Sequence, residues 1–231
     1  MIITRTPFRI SFFGGGTDYP AWYRKNGGIV LGTAINKYCY LSVRRLPPFF
    51  EHKHRVVYSR IELPNQIEEI EHPSVKAVLN EHWTGEGLEI HHHADLPARS
   101  GLGSSSSFTV GLLNAVGTLK GEMLTQKQLA KEAIRIEQNV IEEHVGSQDQ
   151  VWAAHGGTNI IRFQANGEIE VSPLVMPASR HKELNSHLML FFTGFSRIAA
   201  NIAAKKIENI PNKEGHLNAL SDIVGQAVDV L

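Results

Sequence analysis

Cysteine is nearly absent from these 231 residues: Cys39 stands alone. A single thiol excludes an intrachain disulfide and a thiolate cluster for structural zinc or iron–sulfur, and it suits a reducing cytoplasm. An excess of charge of one sign is also missing, because 23 Lys plus Arg balance 23 Asp plus Glu. That balance gives no electrostatic drive toward nucleic acid or an anionic membrane. The longest apolar stretches, such as Leu188 to Phe192, fall far short of the ~20 residues a membrane span needs. Near the start, Arg5 and Arg9 are followed only by Ile10-Ser11-Phe12-Phe13 before three glycines, so an apolar h-region and a small-residue cleavage site are lacking.

What is present is globular. A hydrophobic fraction of 42% and a charged fraction of 20% exclude a disordered or fibrous chain, and the length suits one large domain or one domain plus part of another. From Ile2 to Val43 the chain reads as strand, loop, strand, broken at Gly14-Gly15-Gly16 and at Gly27-Gly28. Residues Arg44 to His54 have loop composition, followed by a short strand at Val56-Val57-Tyr58. Helical spacing predicts helices over Ser74 to His82, Phe108 to Leu119 (buried on most sides), Gln128 to Val145 and Gln148 to Ala154. Strands are expected at Gly87 to Leu96, Asn159 to Phe163 and Ile169 to Val171, the last two joined by an Asn166-Gly167 hairpin. Pro173, Pro177 and the polar run Ser179 to Asn185 predict a boundary near residue 180, giving domains 1–180 and 181–231. An apolar strand, Leu188 to Phe192, and two helical patterns follow.

The segment Asp95 to Ser107 lies between a strand and a helix and holds Gly101-Leu102-Gly103-Ser104-Ser105-Ser106-Ser107. Glycines let a backbone approach a ligand, and the first amides of a helix offer unpaired donors to an anion. Phosphate fits such a loop, and the serine hydroxyls could cap the helix, donate to phosphate or bind magnesium. An ordinary N-cap is the structural alternative. No Gly-Lys-Ser/Thr follows these glycines, which excludes a Walker loop. On the following helix, Glu137 projects between two apolar edges, Leu129, Ala133, Ile136 and Val140 on one side and Ala130, Ile134 and Ile141 on the other. A carboxylate so placed needs a cation or a hydroxyl network, unless it is a rim ion pair. Asp149 falls in the first turn of the next helix, as a dipole-favourable cap or as a carboxylate at the rim of the phosphate site. His91-His92-His93 offers only two side chains on one strand face, too few for a metal site. Cys39, in an apolar stretch, reads as an inert buried thiol.

Pro97 to Ser107 resembles the second signature motif of the GHMP kinases, Pro-x-x-x-Gly-Leu-Gly-Ser-Ser, at every specified position. The N-terminal segment resembles the galactokinase-type motif at Pro7, Arg9, Gly14, Thr17, Asp18 and Tyr19. Its Phe13-Gly14-Gly15-Gly16-Thr17-Asp18 variant resembles the branch of heptose 7-phosphate kinases and fucokinase-like sugar kinases. The likeness extends through Ile136-Glu137, Gln148-Asp149-Gln150, Gly156-Gly157 and Thr193 to Arg197.

The resemblance implies an α+β, two-domain fold, with an N-terminal left-handed βαβ domain and part of a ferredoxin-like C-terminal domain. It implies ATP and Mg2+, with the amides of Gly101, Leu102, Gly103, Ser104, Ser105 and Ser106 around the phosphates and Ser105 and Glu137 holding the metal. Asp149 would orient or deprotonate the sugar hydroxyl, Arg9 would stabilise transferring charge, and Asp18 with Gly15, Gly16 and Thr17 would bind sugar. The implied partners are ATP and a small sugar or sugar phosphate, heptose 7-phosphate foremost. Two classes remain open: an ATP-dependent sugar kinase, or a non-catalytic sugar or nucleotide binding module. The family's third glycine-rich motif is not found, and apolar spacing from Leu217 to Leu231 runs on without a stop signal. The chain is therefore expected to end inside a helix whose apolar face lacks its packing partners, to self-associate or bind a partner through its C-terminal portion, and to show weak or absent kinase activity.

Overall fold

A computed structural model describes residues 1–98, 100–191, 203 and 206–231. The chain divides into two compact units, residues 1–9 with 34–156 and residues 10–33 with 157–231. Strands β1 (Ile2–Phe13) and β2 (Gly28–Arg45) each run from one unit into the other. Residue 180 is no boundary between the units: the polar run there folds as helix α6, Ala178–Ser186.

In the first unit, the C-terminal part of β2 pairs antiparallel with β5 (Leu88–Ala94), which pairs parallel with β3 (Arg55–Val57), and β4 (Ile61–Glu62) closes the edge. Parallel pairing of β3 and β5 requires a crossover, and α2 (Pro73–His82) supplies it. Alternation along β5 puts Leu88 and Ile90 into the core beside Leu41, Val43, Val56 and the helix residues Leu112 and Leu113. The central helix α3 (Ser104–Lys120) is buried on most sides, as its composition predicts. It lies so close to β1 that a β-carbon at Gly111 would sit 2.7 Å from Thr6 Oγ1. Gly121, with φ +80°, ends α3 and accepts the left-handed conformation a C-cap requires.

Helix α4 (Gln126–Arg135) starts with a Thr125/Gln128 capping box. The pattern from Gln128 to Val145 predicts one continuous α-helix; the structure differs. Residues Ile136–Val140 widen into a π-helical turn, with Ile141 N donating to Ile136 O at 2.9 Å. The helix then stops, and Glu142 takes φ +60°. Helix α5 (Gln148–His155) follows.

In the second unit, the N-terminal part of β2 pairs with β6 (Thr158–Phe163), and β6 pairs with β7 (Ile169–Pro173) through the expected Asn166-Gly167 hairpin. Between β1 and β2, where the sequence reads as loop, lies α1 (Pro20–Asn26). Its seven residues are too few for periodicity to show, although Pro20 at its first turn and Gly27 (φ +72°) at its end are boundary signals. Tyr23 stacks on Phe163 at 5.3 Å.

Helix α7 (Glu214–Val230) is not left bare as expected: Val224 is fully buried with Leu31 and Ile160, and Leu217 is buried as well. Residues 188–191 form no strand; their apolar side chains are exposed. Phe192 and the Thr193 to Arg197 motif lie outside the described residues. No described helix is long and apolar enough to cross a membrane.

Candidate active site

The first unit builds its site at the N-terminus of α3. Gly101 (φ +78°) and Gly103 (φ +79°) turn the chain into that helix, and no side chain caps it. The first helical bond runs from Ser107 N to Gly103 O, so the amides of Ser104, Ser105 and Ser106 make no intrahelical bond and carry the positive end of the helix dipole. Such a terminus suits phosphate.

Arg9, on β1, binds this loop to α5. Its backbone amide donates to Leu102 O at 3.1 Å, and its Nη1 donates to Gly101 O at 2.8 Å. Its Nε and Nη2 grip both oxygens of Asp149 at 2.6 Å each. Bidentate guanidinium–carboxylate pairs fix orientation as well as charge. The Asp149 side chain keeps 25% of its surface exposed. A β-carbon at Gly103 would lie 3.2 Å from Arg9 Cγ and 3.4 Å from Asp149 Oδ2. Gly101, Leu102, Gly103, Arg9 and Asp149 therefore converge, although 140 residues separate Arg9 from Asp149 in sequence.

Glu137 sits on the π turn, fully buried. Its Oε2 accepts from Ser106 Oγ at 2.9 Å and from Gln150 Nε2 at 2.5 Å, while its Oε1 has no hydrogen-bond partner. Burial pushes its carboxyl up to about 7, opposed by the Thr109 hydroxyl, the Gln150 amide and the Ser106 hydroxyl. The Thr109 hydroxyl gives its own hydrogen bond to Ser105 O at 3.2 Å, so Ser106 and Gln150 are the donors that hold the carboxylate.

The serine that reaches Glu137 is Ser106; Ser105 is exposed at the helix start, and Ser104 is half-buried. A hard divalent cation such as magnesium takes oxygen ligands, and a buried carboxylate oxygen without a donor, beside serine hydroxyls, has the right chemistry for one. The sequence reading missed Gln150, whose only signal is its place next to Asp149.

Asp18, Gly15, Gly16 and Thr17 belong to the second unit. Asp18 Oδ1 accepts from Gly16 N at 2.9 Å, and Asp18 is 2% exposed. The fully buried Thr17 hydroxyl lies 2.9 Å from Gly14 O and from Ile29 O and accepts from Ile29 N at 3.0 Å. Thr17 thereby fixes the glycine turn to β2, while Gly15 is exposed. Of the remaining candidates, His91 bonds Glu89 at 3.0 Å and His92 packs edge-on against Phe108, on opposite faces of β5. The buried Cys39 thiol is pushed up to about 12 by desolvation.

Residues 71–157, which include the loop, Glu137 and Asp149, match the GHMP kinases N terminal domain. The chain is 30% identical over 214 residues to D-glycero-alpha-D-manno-heptose 7-phosphate kinase of Campylobacter jejuni, covering 89% of this chain and 63% of that one. It is 26% identical to L-fucokinase/L-fucose-1-P guanylyltransferase of Bacteroides fragilis, across 98% of this chain and 27% of that protein. The chain thus spans less than two thirds of either relative.

Among solved structures, a D-glycero-D-manno-heptose 1-phosphate kinase from Bacteroides thetaiotaomicron shares the fold with a TM-score of 0.75 at 24% identity, over 94% of this chain and 73% of that one. A putative sugar kinase from Campylobacter jejuni gives 0.66 at 25%, over 97% and 75%. The likeness to the GHMP kinases N terminal domain covers residues 71–157, and the mixed α/β fold of the chain is that of GHMP kinase structures. The curated relatives it matches are named as heptose 7-phosphate kinase and fucokinase.

Proposed function

We propose that this protein is an ATP-dependent sugar kinase that transfers the γ-phosphoryl group to a sugar hydroxyl, most specifically the anomeric hydroxyl of heptose 7-phosphate. The observation that carries this reading is the Arg9 clamp, which holds the Asp149 carboxylate at 2.6 Å and the Gly101 carbonyl at 2.8 Å beside the uncapped start of α3. A carboxylate fixed next to a phosphate cradle is what transfer to an alcohol needs.

The amides of Ser104, Ser105 and Ser106 would bind phosphate oxygens, and Glu137 with the Ser105 hydroxyl would hold Mg2+. When bound, that cation neutralises charge on the phosphates. Asp149 accepts the hydrogen bond of the attacking hydroxyl and aligns its oxygen with phosphorus. As the O–P bond forms and the bond to the ADP oxygen breaks, the hydroxyl proton leaves toward Asp149. Arg9 keeps Asp149 in place and offers positive charge to the transferring group. Asp18 and the Gly15-Gly16 turn are assigned to the sugar. The choice of heptose 7-phosphate draws on the relative at 30% identity.

Transfer of label from γ-labelled ATP to a panel of heptose 7-phosphates, fucose and related sugars tests the reading. Label in an acid-labile anomeric phosphate of heptose 7-phosphate is the expected result. Label on fucose alone would make the protein a fucokinase, and no label on any sugar would leave a binding module.

A further inference from the structure

Two buried side chains share one oxygen of Glu137. Ser106 Oγ and Gln150 Nε2 both donate to Oε2, at 2.9 and 2.5 Å, and nothing donates to Oε1. Glu137, Ser106 and Gln150 are each at most 3% exposed, so water does not share the work freely. The Gln150 amide is turned with its nitrogen to the carboxylate even though its own Oε1 is left without a partner. A buried acceptor without a donor is costly, so the contact with Glu137 decides the orientation of this amide.

We propose that Gln150 is a positioning residue: with Ser106 it occupies Oε2 of Glu137, fixes the plane of the carboxylate, and presents Oε1 as the oxygen that takes the divalent cation. This inference rests on the kinase reading only in assuming that a cation binds with the nucleotide. Groups that orient a metal ligand from behind commonly govern affinity. Gln150 follows Asp149 in the first turn of α5, so one turn sets both the hydroxyl-aligning carboxylate and the support of the cation ligand. A shift of α5 would disturb both together.

The test uses the full chain, with Mn2+ as the probe, titrated in the presence of a non-hydrolysable ATP analogue and followed by the paramagnetic signal of the free ion. Gln150→Leu removes the donor at nearly constant volume, and Ser106→Ala removes the other. Each is expected to weaken Mn2+ binding by roughly tenfold or more, with affinity for the analogue in EDTA unchanged.

Should Gln150→Leu fail to fold, Gln150→Met and Ser106→Ala carry the same expectation. Wild-type Mn2+ affinity in the folded variants, an equal loss of analogue binding in EDTA, or no Mn2+ binding by the wild type overturns the inference. A wild-type chain that binds Mn2+ but phosphorylates no sugar would sink the kinase reading alone. Active variants with unchanged Mn2+ affinity would sink this inference alone.

Discussion

The Arg9 guanidinium faces two acceptors at once, the Asp149 carboxylate and the Gly101 carbonyl. Asp149→Asn keeps the volume and one acceptor while removing the charge that takes a proton. Turnover is expected to fall by at least about a hundredfold, the scale of a lost positioned base, with nucleotide affinity unchanged in a direct titration. Unchanged turnover would leave Asp149 as a helix-dipole cap.

At this scale, the glycine loop and the placement of Glu137 and Asp149 on their helices were legible from spacing, while Arg9 and the assignment of Ser105 to a metal came with the family resemblance; the serine that bonds Glu137 is Ser106. Consecutive residues on a helix point about 100° apart, and the phase of the first turn depends on where Gly103 leaves the left-handed region. Spacing alone does not fix that phase.

Helix α2 begins at His72, whose Nδ1 accepts from Val75 N and whose ring stacks on Phe108 of α3 at 4.5 Å. Desolvation, opposed by Glu62 and reinforced by His92, lowers its pKa to about 4. An unfolded histidine binds its proton below about 6.5, and the folded one does not until about 4, so this contribution is complete above 6.5 and is lost as pH falls from 6.5 to 4. Urea unfolding at pH 7 and pH 5 should show wild type losing on the order of 2 kcal/mol more than His72→Asn, since Asn caps a helix without titrating. Equal losses would mean that His72 titrates normally.

Elements with strong periodicity, α2, α3, α5 and the β6–β7 hairpin, were legible in the sequence. The π turn was not, because an extra residue per turn leaves an apolar pattern that still reads as an α-helix. Yet that turn carries Glu137, in keeping with the frequency of π segments at functional sites.

Two compact units share a chain that passes between them at residues 9, 33 and 156, and no linear boundary near residue 180 describes that division. In the second unit, α7 packs over the glycine turn: a β-carbon at Gly14 would lie 2.9 Å from Val224 Cγ2, and one at Gly16 3.3 Å from Leu217 Cδ2. Val224→Asp would bury an unpaired charge, and it should cost on the order of 3 kcal/mol. Amide exchange should speed up in α7, in the 14–17 turn and in Leu31 and Ile160. Protection equal to wild type would show that α7 is not docked there.

By itself the sequence marked the glycine loop and the carboxylates Glu137 and Asp149 as candidates, through local backbone freedom and periodicity, and its motifs carried the resemblance that implied the class of fold. Only the tertiary structure decided that Arg9 clamps Asp149, that Ser106 and Gln150 hold Glu137, and that α7 covers Gly14. Each of these joins residues far apart in the chain, and distance in space is set by the packing of whole elements, which no local pattern records.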